Sequence, residues 1–353
     1  MFIVGLGTAV PPNRYTQVQC WEALQGAAQF ARLDRRARAT LQRVLLRDNG
    51  IRTRHLALDP LDEAFETDPD TLHHRFARHA PDLATRAAAD ALQQAGLRPR
   101  DIDAVLISTC TGYLCPGLTS YVVERLGLRS DVLALDPVGQ GCGAALPNLR
   151  TAEALLAARR CETALSICVE VCSAAFYLDN DPGVLISACL FGDGAGAAVL
   201  ASTPSTGTRR IEWKAAGSLI NPTERDALRF EQRGGMLRNI LTPRVPGLAA
   251  QHAEIVLDQV LNGQGMTRGE IGTWIWHAGG RKVLNSLQEV LGLGAGDVYR
   301  SSKVLSEFGN LSSPFVYFVL AAALRDDAPG GWWWMSSFGA GFSCHGALLK
   351  VAA

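Results

Sequence analysis

The chain contains one folding pattern twice, and this internal repeat limits its possible folds more than any other feature of the sequence. Residues 88–109 have a helical pattern, a glycine, a short polar turn and an apolar strand, and residues 257–276 follow the same plan. The two glycines, Gly96 and Gly265, stand 169 positions apart. Because one duplicated α/β unit accounts for both copies, the repeat predicts two similar halves.

Apolar runs alternate with helical segments along the chain, an order that is typical of layered α/β folds. The strand-like runs span 103–109, 163–169 and 331–336, and the helical segments span 84–95, 144–159 and 251–262. Residues 59–82 are rich in Asp, His and Pro, and we expect a surface excursion there. We therefore predict an α/β fold whose N-terminal half is 1–203 and whose C-terminal half is 204–353.

The composition excludes several classes of protein. With 34 basic and 34 acidic residues the net charge is zero, so the chain lacks the general positive field of a nucleic-acid-binding protein. Its 48% hydrophobic content suits a folded globular core. No apolar run reaches the length of a membrane span, and Met1–Gly7 lacks the basic start of a secretion signal. The nine cysteines form no disulfide framework, so we expect free thiols in the cytoplasm.

The repeat also places a cysteine and an asparagine at equivalent positions. Cys142 and Asn310 each follow a glycine and stand 168 positions apart. Pro147 and Pro314 come shortly after them, and proline is tolerated in a helix only near its first turn. We therefore expect both residues at helix N-termini that a pseudo-twofold axis brings together. Such a position favours negative charge and lowers the pKa of a thiol.

A histidine completes a set that can perform acyl transfer. His277 follows a buried Trp-Ile-Trp strand and precedes a Gly-rich turn. In this arrangement Cys142 takes the acyl group with His277 as its ionic partner, and His277 and Asn310 hold an enolate or oxyanion. The alternatives are that Cys142 is only a small buried hydrophobic residue, that His277 has a structural role and that Asn310 only caps a helix. The catalytic interpretation is favoured because Cys142 and Asn310 stand at mirrored positions of the two halves.

These motifs, with the glycine-rich segments 190–196 and 338–342, resemble the type III polyketide synthases, the chalcone synthase-like branch of the thiolase superfamily. The resemblance runs from about Gly5 to Leu349. Its most specific parts are His-x-Gly-Gly after a Trp-rich strand and the block Ser-Glu-Phe-Gly-Asn-x-Ser-Ser. Initiating ketoacyl-ACP synthases also use Cys, His and Asn, but their histidine is usually followed by Gln-Ala-Asn, which this chain lacks.

The resemblance implies a homodimeric, five-layered αβαβα fold that performs decarboxylative condensations. Cys142 would accept a starter acyl group from a coenzyme A thioester, and malonyl-CoA would lose carbon dioxide in the same site. His277 and Asn310 would stabilise the resulting enolate, which attacks the acyl-cysteine. No metal or redox cofactor is implied. Cys168 and Cys172 lie too far apart along one strand face to bind one metal ion. The sequence also lacks two pairs of Cys or His ligands at the spacing of a zinc site.

Departures from the plant pattern bear on the substrate. By resemblance, Cys110, Cys172 and Ala175 replace cavity threonines, and Cys115 replaces the methionine that reaches across the dimer. The stretch 236–240 lacks the family's second gatekeeper phenylalanine. A less polar cavity suggests an aliphatic acyl starter and alkylpyrone or alkylresorcinol products. Similar cysteines also occur in relatives that start from malonyl units, so this remains an open hypothesis.

The resemblance also suggests how coenzyme A reaches the cavity. Phe191 matches the first gatekeeper phenylalanine, between the coenzyme A tunnel and the cavity. Arg43 and Arg47 are the candidates for binding the phosphates, since residues four apart share one helical face. Their alternative role is that of a solvated arginine face. Backbone groups of Gly279 and Gly280 are the other expected contacts.

Three functions remain as alternatives to an alkylpyrone-type synthase. One is an initiating 3-ketoacyl-ACP synthase, which performs a single condensation and needs an acyl carrier protein. Another is an enzyme similar to tetrahydroxynaphthalene synthase, which starts from malonyl-CoA. The third is a non-catalytic thiolase-fold scaffold, which is poorly motivated because all three polar residues are present.

Overall fold

A computed structural model of the chain describes residues 1–205 and 209–353. The strands in these ranges are β1 (Phe2–Ala9), β2 (Arg14–Thr16), β3 (Thr53–His55), β4 (Ala104–Ser108), β5 (Leu133–Leu135), β6 (Thr163–Glu170), β7 (Gly194–Ala201), β8 (Ile211–Ile220), β9 (Leu228–Arg233), β10 (Met236–Leu241), β11 (Ile271–Trp276), β12 (Gly331–Gly339) and β13 (Ser343–Val351). The three strand-like runs of the sequence lie in β4, β6 and β12, which confirms those predictions.

The helices surround and separate the strands. In chain order they are α1 (Gln17–Gly26), α2 (Ala28–Arg32), α3 (Arg35–Leu46), α4 (Pro69–Ala95), α5 (Leu118–Leu126), α6 (Ala145–Ala157), α7 (Pro182–Leu190), α8 (Val245–Gly263), α9 (Arg281–Leu291), α10 (Ala295–Phe308) and α11 (Phe315–Arg325). Across the described ranges, no helix combines the length and the apolar character needed to cross a membrane.

The main sheet shows the same strand pattern on both sides of its middle. Its order is β11-β12-β13-β8-β1-β7-β6-β4-β5. In each half a parallel pair (β4–β6 or β11–β12) is followed by two antiparallel pairs, β6–β7–β1 or β12–β13–β8. Among the described residues, β1 and β8 pair only through Phe2 with Glu212 and Ile3 with Ile211. A duplicated unit predicts this pattern, and the boundary between 203 and 204 stays a prediction.

The helices divide into three layers around the two halves of the sheet. α4 packs on β1, β7 and β6, and α8 packs on β8 and β13, so these helices cover the two outer faces. α6 and α11 contact strands of both halves and therefore lie between them. The result is the five-layered αβαβα arrangement that the sequence predicts. Apolar side chains fill the space between the layers and drive their association.

The expectation of a surface excursion over 59–82 is wrong for its second part. Helix α4 begins at Pro69, and its N-cap Asp68 accepts a hydrogen bond from the backbone N–H of Thr71. Phe76 is almost fully buried, and Ala80 is completely buried. The many Asp and His residues of this segment make its apolar helical face difficult to recognise in the sequence. In the structure this face packs against the cavity loops and the sheet.

Candidate active site

Cys142 lies where the sequence predicts, at the entrance to a helix. A short 3-10 turn, Gly141–Gly143, leads directly into α6. Gly141 has a φ of +54°, in the left-handed region that glycine adopts without a steric penalty. The chain can therefore turn sharply there and hold the Cys142 side chain against the core. Cys142 is 6% exposed.

Asn310 does not lie at a helix N-terminus, and that expectation is wrong. α11 begins only at Phe315, and a turn separates the two residues. The Asn310 side chain is held from both sides, because Nδ2 donates to the Gly279 carbonyl at 3.2 Å and Oδ1 accepts from the Ser312 backbone N–H at 2.9 Å. The asparagine is therefore tied directly to the Gly-rich loop that follows His277.

His277 immediately follows β11 and is 3% exposed. Its backbone N–H donates to the Ser336 carbonyl at 2.9 Å, and its ring packs edge-on against Phe315 at a centroid distance of 5.3 Å. Among the described residues its Nδ1 has no hydrogen-bond partner. A buried ring nitrogen without a partner has free capacity for a substrate group or a proton.

Ser312 links Cys142 and Asn310; it lies within the block Ser-Glu-Phe-Gly-Asn-x-Ser-Ser, but its contact with the cysteine was not predicted. Its Oγ donates to the Cys142 Sγ at 3.1 Å, and its backbone N–H donates to Asn310. Asn310 in turn holds the Gly279 carbonyl, two residues after His277. A continuous chain of hydrogen bonds therefore runs from the cysteine to the loop that carries the histidine.

Burial controls the ionisation of the cysteine and the histidine. Desolvation raises the pKa of Cys142 to about 12, opposed by the hydrogen bond from Ser312. Desolvation lowers the pKa of His277 to about 3. Both groups are therefore neutral at rest, and the expectation of a lowered thiol pKa and an ionic pair is wrong, because burial outweighs the helix N-terminus. The thiol must transfer its proton as it attacks, and a neutral imidazole can accept it.

A buried carboxylate, Glu170, stands beside the thiol and is not marked by any motif. It ends β6, is fully buried, and accepts hydrogen bonds from Ser313 Oγ at 2.5 Å and Thr111 Oγ1 at 2.9 Å. Its other partners include the backbone N–H and the thiol of Cys110, at 3.0 and 3.3 Å. Burial raises the pKa of Glu170. The available sequence signal is a single acidic residue at the end of an otherwise apolar strand.

A narrow apolar cavity adjoins Ser312 and the apolar cluster that contains Cys142. Its lining includes Cys172, Ala175, Phe176, Phe191, Asn239 and Ser312. Cys142 packs in one apolar cluster with Cys172, Phe176 and Phe191. The structure therefore brings the predicted cavity residues Cys172, Ala175 and Phe191 together beside the cluster that contains Cys142. Cys115 is not among them, since it is exposed on the loop before α5.

Phe176 also lines a second narrow apolar space, which we call the chamber. Leu24 of α1, Leu41 of α3 and Ala188 of α7 line it, together with the buried Arg54. Phe176 belongs to the lining of both spaces. The phenyl ring therefore forms part of the wall between the chamber and the cavity beside Cys142.

The residues proposed for coenzyme A lie on two adjoining segments. Arg43 is in the last turn of α3 and Arg47 follows that helix; both are exposed, and neither has an ion-pair partner within the described part of the chain. Asp48 forms an ion pair with Arg281 at 2.5 Å. Arg281 directly follows Gly280, so the end of α3 meets the Gly-rich loop. Arg281 was not predicted, although a basic residue after two glycines is a readable signal.

Residues 1–205 and 209–353 contain no group of three or more His, Cys, Asp or Glu side chains arranged to hold a metal ion. All nine cysteines are free. The chemistry that the site offers is therefore that of a buried thiol, a neutral imidazole, an amide and a hydroxyl.

Comparison with known proteins assigns the chain to a family. Residues 11–216 match the family described as FAE1/Type III polyketide synthase-like protein, and residues 216–352 match chalcone and stilbene synthases, C-terminal domain. The chain is 32% identical to 3,5-dihydroxyphenylacetyl-CoA synthase of Streptomyces toyocaensis, over 99% of this chain and 89% of the relative. It is also 32% identical to 1,3,6,8-tetrahydroxynaphthalene synthase of Streptomyces peucetius subsp. caesius, over 99% and 92%.

A solved structure supports the fold. PKS-I from the brown alga Ectocarpus siliculosus superposes with a TM-score of 0.91 at 24% identity, covering 99% of this chain and 98% of that chain. At this level of identity the likeness concerns the architecture alone. It agrees with the layered arrangement and with the mirrored halves of the sheet.

Proposed function

The chain belongs to the chalcone synthase-like type III polyketide synthases, and on that premise we propose that Cys142, His277 and Asn310 perform its condensation chemistry. The observation that carries the proposal is the hydrogen-bond chain from the Cys142 thiol through Ser312 to Asn310 and Gly279. It links Cys142 and Asn310 to the loop that follows His277, and Ser312 within it lines the apolar cavity. An initiating synthase that depends on a carrier protein is disfavoured by this membership.

Loading begins when the Cys142 sulfur attacks the carbonyl carbon of an acyl-CoA thioester. The thiol proton passes to the neutral imidazole of His277, the bond from the carbonyl carbon to the coenzyme A sulfur breaks, and that sulfur leaves with the proton. Burial disfavours a free thiolate, so proton transfer to His277 and attack by the sulfur have to occur together.

Extension begins when malonyl-CoA loses carbon dioxide. The electron pair of the broken carbon–carbon bond forms an enolate, whose oxygen accepts hydrogen bonds from the imidazole of His277 and the amide of Asn310. Only one Asn310 Nδ2 proton is engaged by Gly279, so the other is available. The enolate carbon attacks the acyl-Cys142 carbonyl, and the carbon–sulfur bond breaks to free the thiolate.

We propose malonyl-CoA as both starter and extender and a hydroxylated aromatic product. Each condensed malonyl unit leaves a keto group on alternate carbons, and enolisation turns these into hydroxyls at alternate positions of a ring. The products named for the two relatives, 3,5-dihydroxyphenylacetyl-CoA and 1,3,6,8-tetrahydroxynaphthalene, have this spacing. Phe176 and Phe191 contribute aromatic rings to the lining of the cavity, which suits a planar intermediate.

An aliphatic starter is the second candidate, and one observation favours it. The apolar chamber beyond Phe176 is as large as the cavity beside Cys142. Rotation of the Phe176 ring would join the two spaces and accommodate a long acyl tail. The products would then be alkylpyrones or alkylresorcinols.

Coenzyme A would bind across the segments that meet at the Arg281–Asp48 ion pair. Arg43, Arg47 and Arg281 supply cations for its phosphates, and the backbone of Gly279 and Gly280 borders the pantetheine path. Arg43 and Arg47 are exposed and without ion-pair partners among the described residues, which leaves their charge available. The coenzyme A thioesters are the substrates, and the proposed steps require no metal or redox cofactor.

A homodimer in the cytoplasm is the assembly that we propose. Tyr113, Leu133 and Val138 are exposed apolar residues near the edge strand β5. The first turn of α5, which follows the loop that carries Cys115, is tied to the segment after β5, because the Thr119 backbone N–H donates to Asp136 Oδ1 at 3.2 Å. A partner subunit covering this edge would bury all of them.

The test combines nucleophile variants with a panel of starters. Cys142→Ala should lower product formation about 1,000-fold or more, because no other thiol can carry the chain. Cys161→Ala is the matched control: it replaces another buried cysteine and should leave product formation unchanged. Undiminished product from Cys142→Ala would reject the nucleophile.

The same incubations decide the starter. Labelled malonyl-CoA alone should yield a multiply extended, cyclised product without a carrier protein. A strict requirement for a fatty acyl-CoA would instead support the aliphatic candidate. Product that forms only with an acyl carrier protein would overturn both.

A further inference from the structure

One polar group in the cavity has no hydrogen-bond partner. Asn239 of β10 is 6% exposed and lines the cavity beside Leu237 and Phe230. Its Nδ2 donates to Ser187 Oγ at 2.8 Å, while its Oδ1 has no partner among the described residues. A buried acceptor without a partner destabilises the folded chain unless a ligand supplies a donor.

The orientation of this amide follows from the hydrogen bonding of Ser187. The Ser187 hydroxyl has one proton, which it donates to the Gly183 carbonyl at 2.8 Å within α7. Ser187 can therefore only accept from Asn239, so the NH₂ group must point to the serine. Oδ1 is left as the free acceptor.

The other oxygen-bearing side chains that line the cavity already have partners. Thr111 Oγ1 donates to Glu170 at 2.9 Å and accepts from the Val171 backbone N–H at 2.9 Å. Ser312 Oγ donates to the Cys142 thiol. Among the described residues that line the cavity, Asn239 Oδ1 is therefore the side-chain oxygen left without a hydrogen-bond partner.

We propose that Asn239 is a specificity-determining residue whose Oδ1 accepts a hydrogen bond from an enol or phenol hydroxyl of the growing polyketide. This rests on the proposed function and names the chemistry of the intermediate that the site prefers. An aliphatic tail would leave Oδ1 buried and unpaired. A hydroxylated chain satisfies it and is held at two points, the thioester at Cys142 and the hydroxyl at Asn239.

The test measures ligand binding by the full chain, independently of catalysis. The probes are 3,5-dihydroxyphenylacetate and 3,5-difluorophenylacetate, which are similar in size and charge but differ in hydroxyl donors. Calorimetry should show about tenfold tighter binding of the dihydroxy acid, as expected for one buried hydrogen bond. In Asn239→Leu the ratio of the two dissociation constants should fall to near one. Asn239→Ala removes the same oxygen without added bulk and should have the same effect.

Ser187→Ala separates recognition from a merely structural role. It breaks the same Asn239–Ser187 hydrogen bond but keeps Oδ1, so most of the preference for the dihydroxy acid should remain. Equal loss of preference in Ser187→Ala and Asn239→Leu would overturn the proposal, as would an unchanged ratio in both Asn239 variants. These ratios are measured without turnover, so a wild-type chain that makes no product from malonyl-CoA would contradict the proposed function alone.

Discussion

Ser312 holds an unusual backbone conformation beside the nucleophile. Its φ is +59°, a region that costs a non-glycine residue free energy, and its hydroxyl donates to the Cys142 Sγ. The surrounding turn keeps it there, because its backbone N–H is bound to Asn310. The hydroxyl opposes the rise in the thiol pKa that burial causes. We therefore expect Ser312 to position the thiol and to make it more reactive.

Removing this hydroxyl should make the thiol less acidic. Ser312→Ala loses one hydrogen bond to a developing thiolate, which is worth about one pKa unit. At pH 8 the alkylation rate of Cys142 by iodoacetamide should fall about tenfold, because the thiolate is the reacting form. Mass spectrometry of the Cys142 peptide follows the reaction. Ser313→Ala, whose hydroxyl binds Glu170 instead, should change the rate by less; equal rates in Ser312→Ala and wild type would reject this role.

His345 is a second buried imidazole and makes stability depend on pH. It is 3% exposed, its Nδ1 lies 2.8 Å from Ser218 Oγ, and burial lowers its pKa to about 4. Because the unfolded chain takes up this proton near pH 6.5, stability is lost as the pH falls from about 6.5 toward 4.

His345→Gln should therefore reduce the loss of stability in acid. Between pH 6.5 and 5 one such histidine costs about 2 kcal/mol of unfolding free energy. Urea unfolding at pH 7 and pH 5 measures this loss in both proteins. His277 shifts in the same direction and stays in both, so its effect cancels in the comparison. An identical loss in wild type and variant would contradict the assignment.

The three residues proposed as catalytic could be selected from the sequence because glycines and the repeat mark them locally. Ser312, Glu170 and Asn239 could not be found in this way. Glu170 and Ser313 are 143 positions apart yet form a hydrogen bond, so their relation exists only in the folded chain. The pKa of Cys142 was mispredicted for a similar reason: the helix start is visible in the sequence, but the degree of burial is not.

At the scale of elements, the close contact of β1 with α4 fixes the N-terminal half. Gly5 and Gly7 face the helix backbone, and a Cβ on either would lie 2.1 Å from the carbonyl oxygen of Ala91 or Ala87. No side chain fits there. Ala84, Ala87, Ala88 and Ala91 of α4 are fully buried, so the helix and the strand approach each other along several turns.

A single methyl group added to β1 should therefore force β1 and α4 apart. Gly7→Ala should lower the free energy of unfolding by about 2 kcal/mol, the usual cost of overpacking a core. Gly26→Ala is the control, since a Cβ there meets nothing within 4 Å. Urea unfolding measures both variants. A Gly7→Ala protein as stable as the control would show that the helix can shift at no cost.

Most elements could be predicted from hydrophobic pattern alone, and α4 shows where that pattern fails. Its C-terminal part, 84–95, is rich in alanine and was predicted as a helix. Its first turns carry exposed Asp and His residues, so their composition resembles that of a loop. The buried side is visible only once β1 and the cavity loops are in place. The start signal, Asp68 followed by Pro69, was present but has little weight by itself.

At the scale of the whole molecule, the mirrored halves leave one edge of the sheet uncovered. β5 is the last strand of the N-terminal half, and Leu133 within it is 42% exposed. Tyr113 and Val138 beside it are 71% and 70% exposed. An exposed apolar edge strand invites pairing with another chain, and soluble proteins usually cover or charge such an edge. We expect a second copy of the chain to cover this edge, because in a twofold-symmetric dimer the same edge of each subunit can pack against the other.

A charge on this edge should therefore break the assembly. The wild-type chain should have a mass in solution of twice 37.8 kDa by light scattering. Val138→Asp would place two carboxylates at the shared edge, so the mass should fall to that of one chain at micromolar concentration. Tyr299→Asp changes an equally apolar residue, 56% exposed on α10, and should leave the dimer intact. A dimer that persists in Val138→Asp but dissociates in Tyr299→Asp would move the interface to the opposite half of the molecule, away from the loop that carries Cys115.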